Sequence, residues 1–309
     1  MERVDVIIPA YRPGEEFAKL LDALCRQSYP IENIIVMNTE KNFWNPQWED
    51  FYPKLKVTHL KKEDFDHGGT RRAAAKLSNA EIMVFMTQDA IPADEHLIRN
   101  LVHPLLVDPK VGAAYARQLA RPDCAYLEKY TRSFNYPEKS SVKWEKDTDR
   151  YGIKTYFCSN VCAAYKKDIY EETGGFTEHA IFNEDMIYAG MMAKKGFGIA
   201  YAADACVIHS HNYSCSQQFH RNFDLGVSQA EHPEIFEGVP SEGEGLRLVK
   251  KSFVYLIKTG HIWLIPGLIA QSGFKYAGYF LGKRYGKLPK KMILFCTMNH
   301  EYWNRKEEK

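Results

Sequence analysis

Apolar residues near the amino terminus fall into short unbroken runs, each closed by a turn signal. Val4–Pro9 leads into Ala10-Tyr11-Arg12-Pro13-Gly14, Asn33–Met37 into Asn38-Thr39-Glu40, and Ile82–Met86 into Thr87-Gln88-Asp89-Ala90. Runs this short and partly β-branched, without polar alternation, predict strands covered on both faces. Leu55–Leu60 predicts another strand, and between the first two runs Phe17, Leu20, Leu21 and Leu24 recur at helical spacing through Arg26. Strand, helix, strand with short connections points to a mostly parallel α/β sheet.

Farther along, Glu95–Val107 reads as a helix, and Val111–Tyr115 and Tyr156–Tyr165 as strands. Gly174-Gly175-Phe176 makes a turn. A helix starts at Ile181-Phe182-Asn183-Glu184-Asp185 and runs through Met186, Ala189, Met192 and Ala193. Ile199–Ala202 and Cys206–Ile208 read as strand, and Gln217–Arg221 as a polar, mobile segment.

Composition changes this picture in one place. The 309 residues carry a net charge of +2, but from Leu246 onward 13 Lys/Arg face 3 Asp/Glu, leaving −8 on the preceding 245 residues. Leu246–His300 has ten Lys/Arg and no acid, with apolar clusters at Phe253–Ile257, Ile262–Ala270 and Tyr276–Leu281. That pattern predicts amphipathic helices on an anionic membrane surface, the alternatives being packing on the catalytic domain or a homo-oligomer interface. So much aliphatic bulk disfavours an RNA-binding tail, and no nucleic-acid partner is expected. The seven cysteines are scattered without a Cys-x-x-Cys pair, which predicts reduced cytosolic thiols. Met1-Glu2-Arg3 leads straight into a strand with no signal peptide, and no apolar run is long enough to span a bilayer.

Three stretches carry candidate chemistry. Asp89 follows a buried strand whose continuation Pro92 forbids, at the carboxyl end of the sheet where ligands bind; a helix cap is the alternative. Phe65-Asp66-His67-Gly68-Gly69-Thr70-Arg71-Arg72 opens an alanine-rich helix, where glycines admit a ligand to the backbone and arginines grip phosphate. Glu184-Asp185 places two carboxylates at a helix start, where capping is again the alternative.

Together these motifs resemble family 2 glycosyltransferases, inverting enzymes of the GT-A fold, over roughly Val4 to Gly226. VDVIIPAYRP is similar to the family's opening strand, TQDA to its Asp-x-Asp motif, Asn183-Glu184-Asp185 to its acidic motif and Gln217–Arg221 to its Gln-x-x-Arg-Trp segment. FDHGGTRR, FMTQDAIPAD, FNYP, SNVCAAY, IFNEDM and HSHNYS with QQF more narrowly resemble bacterial rhamnosyltransferases. Two departures stand out: Gln88 replaces an acid, and Asn222-Phe223 follows Arg221 in place of Trp.

The resemblance implies a GT-A domain over residues 1–235, and the charge and apolar pattern adds a basic amphipathic helical extension over 246–300. It implies a donor, dTDP-L-rhamnose, and a polyprenyl-diphosphate-linked saccharide acceptor at the inner face of the cell membrane. A UDP-sugar donor and a non-catalytic scaffold are the competing readings. Displacing a nucleoside diphosphate calls for a divalent cation, Mn2+ or Mg2+, with Asp89 and His211 as ligands and His209 structural. Asp185 is the expected base, with Glu184 binding acceptor or acting as base in its stead. The nucleotide is expected along Pro9, Ala10, Tyr11, Asn38, His67, Arg71 and Gln88, with Arg221 closing over the diphosphate.

Overall fold

The computed structural model describes residues 1–239 and 242–307. Its nine described strands form one sheet: β1 (Val4–Tyr11), β2 (Asn33–Thr39), β3 (Leu55–Leu60), β4 (Ile82–Met86), β5 (Ile91–Pro92), β6 (Val111–Leu119), β7 (Ser141–Lys143), β8 (Cys162–Lys166) and β9 (Gly198–Ile208). The order is β3-β2-β1-β4-β8-β6-β9-β5, with β7 also on β9. The first four are parallel, β8 runs against both neighbours, and β9 is parallel to β6. Register sets Ala10 beside Asn38 and Tyr11 beside Thr39, so the expected nucleotide residues share one sheet end.

Strand alternation divides the core between two faces. Val6, Ile8 and Val84 meet α1 (Glu15–Cys25) through Phe17, Leu20, Leu21 and Leu24, and α3 (Leu97–Val107) through Ile98, Leu101 and Leu105. On the other face, Ile7, Met83 and Phe85 meet Ala74 and Ala75 of α2 (His67–Leu77) and Ile187, Tyr188 and Met192 of α5 (Glu184–Lys194). Between them, α4 (Tyr126–Asn135) follows β6.

The chain differs from its sequence pattern in several places. Residues 156–161 are not strand, because side chains take their backbone groups. Lys143 Nζ donates to the carbonyls of Lys154 and Phe157, at 2.7 and 2.8 Å, and the Asn160 amide donates to Asp185 at 2.9 Å. Past Asp89 the chain forms β5 and pairs with β9; Pro92 is tolerated there because β5 closes the sheet edge. Ile199–Ala202 and Cys206–Ile208 are parts of one strand with a register shift against β6. Gln217–Arg221 is not a separate mobile segment but lies in α6 (Cys215–Glu231). Ser214 caps that helix, its Oγ accepting from the Gln217 amide at 3.2 Å while Gln217 Oε1 accepts from the Ser214 amide at 2.9 Å.

The basic tail forms α7 (Glu242–Lys258), α8 (Ile265–Gly282), α9 (Lys290–Cys296) and α10 (His300–Glu307). α8 lies parallel to α6 with backbones in near contact. A Cβ on Gly278 would sit 2.1 Å from the Phe219 carbonyl oxygen, and one on Gly282 2.1 Å from that of Phe223. Only glycine permits that approach. Among the described residues, no helix is long and apolar enough to cross a membrane.

Candidate active site

The site is assembled where the sheet's parallel half meets its antiparallel half. β4 ends beside the start of β8, with Met86 opposite Cys162 and the Thr87 amide donating to the Val161 carbonyl at 3.2 Å. Asp89 therefore stands in a turn at the carboxyl end of β4. It caps no helix, since α3 begins only at Leu97. Its Oδ2 lies 3.3 Å from His211 Nε2 and 3.6 Å from His209 Nε2, and the two imidazole nitrogens are 3.1 Å apart.

His209, expected as structural, is thus a third donor of the same cluster. Gln118 fixes its tautomer. Gln118 Oε1 accepts from an Arg132 guanidinium N–H and lies 3.1 Å from His209 Nδ1, so the Nδ1 proton points at Gln118 and the Nε2 lone pair points at Asp89 and His211. Burial holds the His209 ring neutral, its pKa far below that of a free imidazole despite the Asp89 charge. The donor set fits a divalent ion: bonds of about 2.1 Å at right angles set donors about 3 Å apart. Two imidazoles and one carboxylate suit Mn2+ better than Mg2+.

Gln88 has a different task from the acid it replaces. Its Oε1 accepts from the Tyr11 amide at 2.8 Å and its Nε2 donates to the Tyr11 carbonyl at 3.0 Å. The side chain thus ties the end of β1 to the turn after β4, beyond the last β1–β4 pair, Ile7 with Phe85. Pro9 and Ala10 complete that strand end. Asn38 is buried, with Nδ2 3.0 Å from His59 Nδ1 and Oδ1 unpaired among the described residues.

Asp185 reaches the same region through Ser159-Asn160. Gln118 Nε2 donates to Ser159 Oγ at 3.1 Å, and the adjoining Asn160 amide donates to Asp185 Oδ2 at 2.9 Å. Asn160 Nδ2 also donates to Glu184 Oε1 at 3.2 Å, so one residue holds both carboxylates. Asp185 sits in the first turn of α5, one position past Glu184; the cap position is Asn183, in a left-handed conformation at φ 60°. Burial and the adjacent Glu184 push the Asp185 carboxyl up to about 7, against the two amides that favour its ionised form.

Glu184 is not available as a base or acceptor ligand. Its Oε1 lies 3.1 Å from Arg71 Nη1, and both residues are 6 % exposed. Burial raises its pKa, but Arg71 and His67 outweigh it and hold the group ionised. Arg71 accordingly faces Glu184 and the His67 carbonyl, at 3.0 Å. The glycines before it serve packing: a Cβ on Gly68 would meet the Thr177 carbonyl oxygen at 1.8 Å. The Asp66 side chain takes the Gly69 amide at 2.6 Å, so that helix end already has its anion. Arg221 is exposed on α6, 4.5 Å from the Phe182 ring and 5.5 Å from that of Tyr213.

The profile of Glycosyl transferase family 2 matches residues 5–174, more than half of the chain. The O-antigen chain rhamnosyltransferase RfbN of Salmonella typhimurium (strain LT2) is 40 % identical over 307 residues, covering 98 % of this chain and 96 % of that protein. The chain belongs to glycosyl transferase family 2. A second relative of this family 2 transferase, the O-antigen chain rhamnosyltransferase WbaN of Salmonella anatum, is 35 % identical over 309 residues, covering 98 % and 96 %. Among solved structures, mannosyltransferase PcManGT from Pyrobaculum calidifontis, in complex with GDP-Man and Mn2+, superposes with a TM-score of 0.58 at 18 % identity. It covers 99 % of this chain and 86 % of that one. S. aureus TarS 1-349, in complex with UDP-GlcNAc, gives 0.54 at 14 % identity with 93 % of each chain covered. Both share the GT-A fold with this family 2 transferase.

Sequence reasoning about the family 2 site passed over Asn160, Gln118 and Arg132. The first was within reach, because SNVCAAY had stood out as a motif. The other two act only through residues brought together by sheet pairing.

Proposed function

We propose that this family 2 transferase is an inverting rhamnosyltransferase, moving L-rhamnose from dTDP-L-rhamnose to a polyprenyl-diphosphate-linked saccharide in polysaccharide synthesis. The observation that carries this reading is the 40 % identity, across nearly all of both chains, to an O-antigen chain rhamnosyltransferase. The site supports it chemically. Asp185 takes the proton of the acceptor hydroxyl as that oxygen bonds to the anomeric carbon from the face opposite the diphosphate. The carbon–oxygen bond to the diphosphate breaks, and the electron pair leaves with it.

Asn160 orients the base, and Arg71 keeps Glu184 ionised behind it. Asp89, His209 and His211 would hold a divalent cation, which would supply charge neutralisation for the departing diphosphate. Pro9, Ala10, Tyr11, Asn38 and His67 line the nucleotide side, Gln88 holds Tyr11 in place, and Arg221 covers the diphosphate.

The tail brings the protein to the inner membrane surface. Among the described residues, thirteen of the twenty large exposed apolar side chains lie between Leu246 and Met298, including Trp263 at 68 % and Phe295 at 75 % exposure. A second copy is a poor occupant for that face, because ten cations without an acid would meet ten more. Anionic headgroups complement it.

Incubation with dTDP-L-rhamnose, Mn2+ and a lipid-linked saccharide should add deoxyhexose mass to the acceptor, and chelator should stop it. Transfer only from a UDP-sugar, or no transfer from any donor, overturns the reading. Sedimentation with phosphatidylglycerol vesicles but not with neutral ones is expected, and equal recovery with both would remove the membrane role.

A further inference from the structure

Three cations, Arg132, Arg221 and Lys275, come from three helices toward the Asp89–His209–His211 side of the molecule. Arg132 of α4 donates from Nε to Glu128 at 2.7 Å and from Nη1 to Gln118. That leaves Glu128 occupied. Arg221 of α6 rests over aromatic rings, and among the described residues no carboxylate lies within 4.0 Å of its guanidinium. Lys275 of α8 shares this surround. Burial lowers its pKa; Glu128 works against that, and Arg132 and Arg221 add to it. No hydrogen bond or ion pair of the Lys275 ammonium is found among the described residues.

The placement of Lys275 follows from the glycine contact between α6 and α8. The two helices run parallel, Gly278 lies against Phe219, and Lys275 shares that face one turn earlier. It is therefore level with the first turn of α6, just after the His211–Ser214 segment. The same Arg132 and Arg221 bear on both His209 and His211. A half-buried ammonium with no ion-pair partner among the described residues, its burial opposed only by the already paired Glu128, costs folding energy unless an anion joins it.

We propose that Lys275 is a further binding residue of this enzyme, forming with Arg221 and Arg132 a subsite for a diphosphate ester next to the metal cluster. This rests on the transferase reading, because the two diphosphates in that reaction are the donor's and the acceptor lipid's. Lys275 lies about a hundred positions beyond the family 2 segment ending at residue 174, so the tail helix contributes directly to the site.

Lys275→Met keeps the aliphatic stem and removes the charge. Titration calorimetry with Mn2+ and dTDP tests the donor diphosphate, and with Mn2+ and geranyl diphosphate the acceptor's. Lys275→Met should weaken one of these at least about tenfold while the ligand-free protein melts at or above the wild-type temperature; Lys275→Arg should stay within about threefold. The ligand that weakens identifies the source. Unchanged affinity for both, or a lowered melting temperature, overturns the subsite and makes Lys275 a packing residue. Neither readout requires rhamnosyl transfer, so failure of the donor assignment and failure of this subsite are separable.

Discussion

β4 and α8 are both rich in apolar residues, and they treat them in opposite ways. All five side chains of β4 are buried, whereas α8 leaves Ile269, Phe274, Tyr276 and Phe280 open and buries only one narrow stripe. Two of the residues in that stripe, Gly278 and Gly282, are glycines beside Leu268 and Tyr279, so α8 meets α6 with backbones close together and little apolar bulk between them. Apolar content alone therefore says little about where a segment sits. In β4 it specifies a fold and aims Asp89; in α8 it leaves a surface that needs something apolar to meet. The strand half brings Asp89 and Asp185 toward one end of the sheet, and the helical half adds cations around that end.

The largest effects are expected in the strand half. Asp185→Asn should lower kcat about a thousandfold while preserving the fold, as loss of a general base does. Because the native carboxyl is raised from 3.8 to about 7, the stability of its protonated form is fully present below 3.8 and lost as pH rises through 7. The asparagine variant does not titrate, so above pH 7 it should melt higher than wild type, by on the order of 1–2 kcal/mol. Wild-type turnover should rise as pH increases through 7. An inactive variant that melts lower at pH 8 would deny Asp185 its strained, functional position.

Next comes the donor cluster. His209→Ala should weaken Mn2+ binding about a hundredfold, and Gln118→Ala, which frees the ring to change tautomer, about tenfold. Equal binding in the His209 variant, measured by Mn2+ relaxation or calorimetry, would return that residue to a structural role.

The tail should respond differently. Replacing Trp263 and Phe295 together with serine should cut binding to anionic vesicles at least tenfold, since each buries roughly 1.5–3 kcal/mol of apolar surface on docking. The melting temperature should not move. A large loss of stability would mean that these side chains pack internally.

The smallest effect belongs to Arg305→Ala. Arg305 Nη1 donates to the Phe65 carbonyl at 2.6 Å and Nη2 lies 3.5 Å from Asp66 Oδ2. Its loss should cost about 1 kcal/mol and speed amide exchange around Asp66 more than elsewhere.

Legibility in the sequence followed the range of the interactions. Ile82–Met86 and Val4–Pro9 were readable because a doubly covered strand is a local pattern, and Asp89 followed from its place after one. His211 came with the family resemblance. The tail's exposed apolar stretches were visible as amphipathic helices, although the glycine contact that docks α8 was not. Arg71 and Glu184 misled for one reason: each looks like an open functional group until pairing at 3.1 Å hides it. Gln88 and His209 depend on partners 77 and 91 positions away, Tyr11 and Gln118, and no local spacing reports them.

The link from Arg305 to Phe65 spans 240 positions. On a ribosome adding about 5–20 residues per second, the loop leading into α2 emerges roughly 10–50 s before the guanidinium that braces it. Until then Asp66 holds that helix start through the Gly69 amide and, once it has emerged, the His179 amide. The strand scaffold can thus form early, while the brace on the loop into α2 waits for a residue 240 positions farther along the chain.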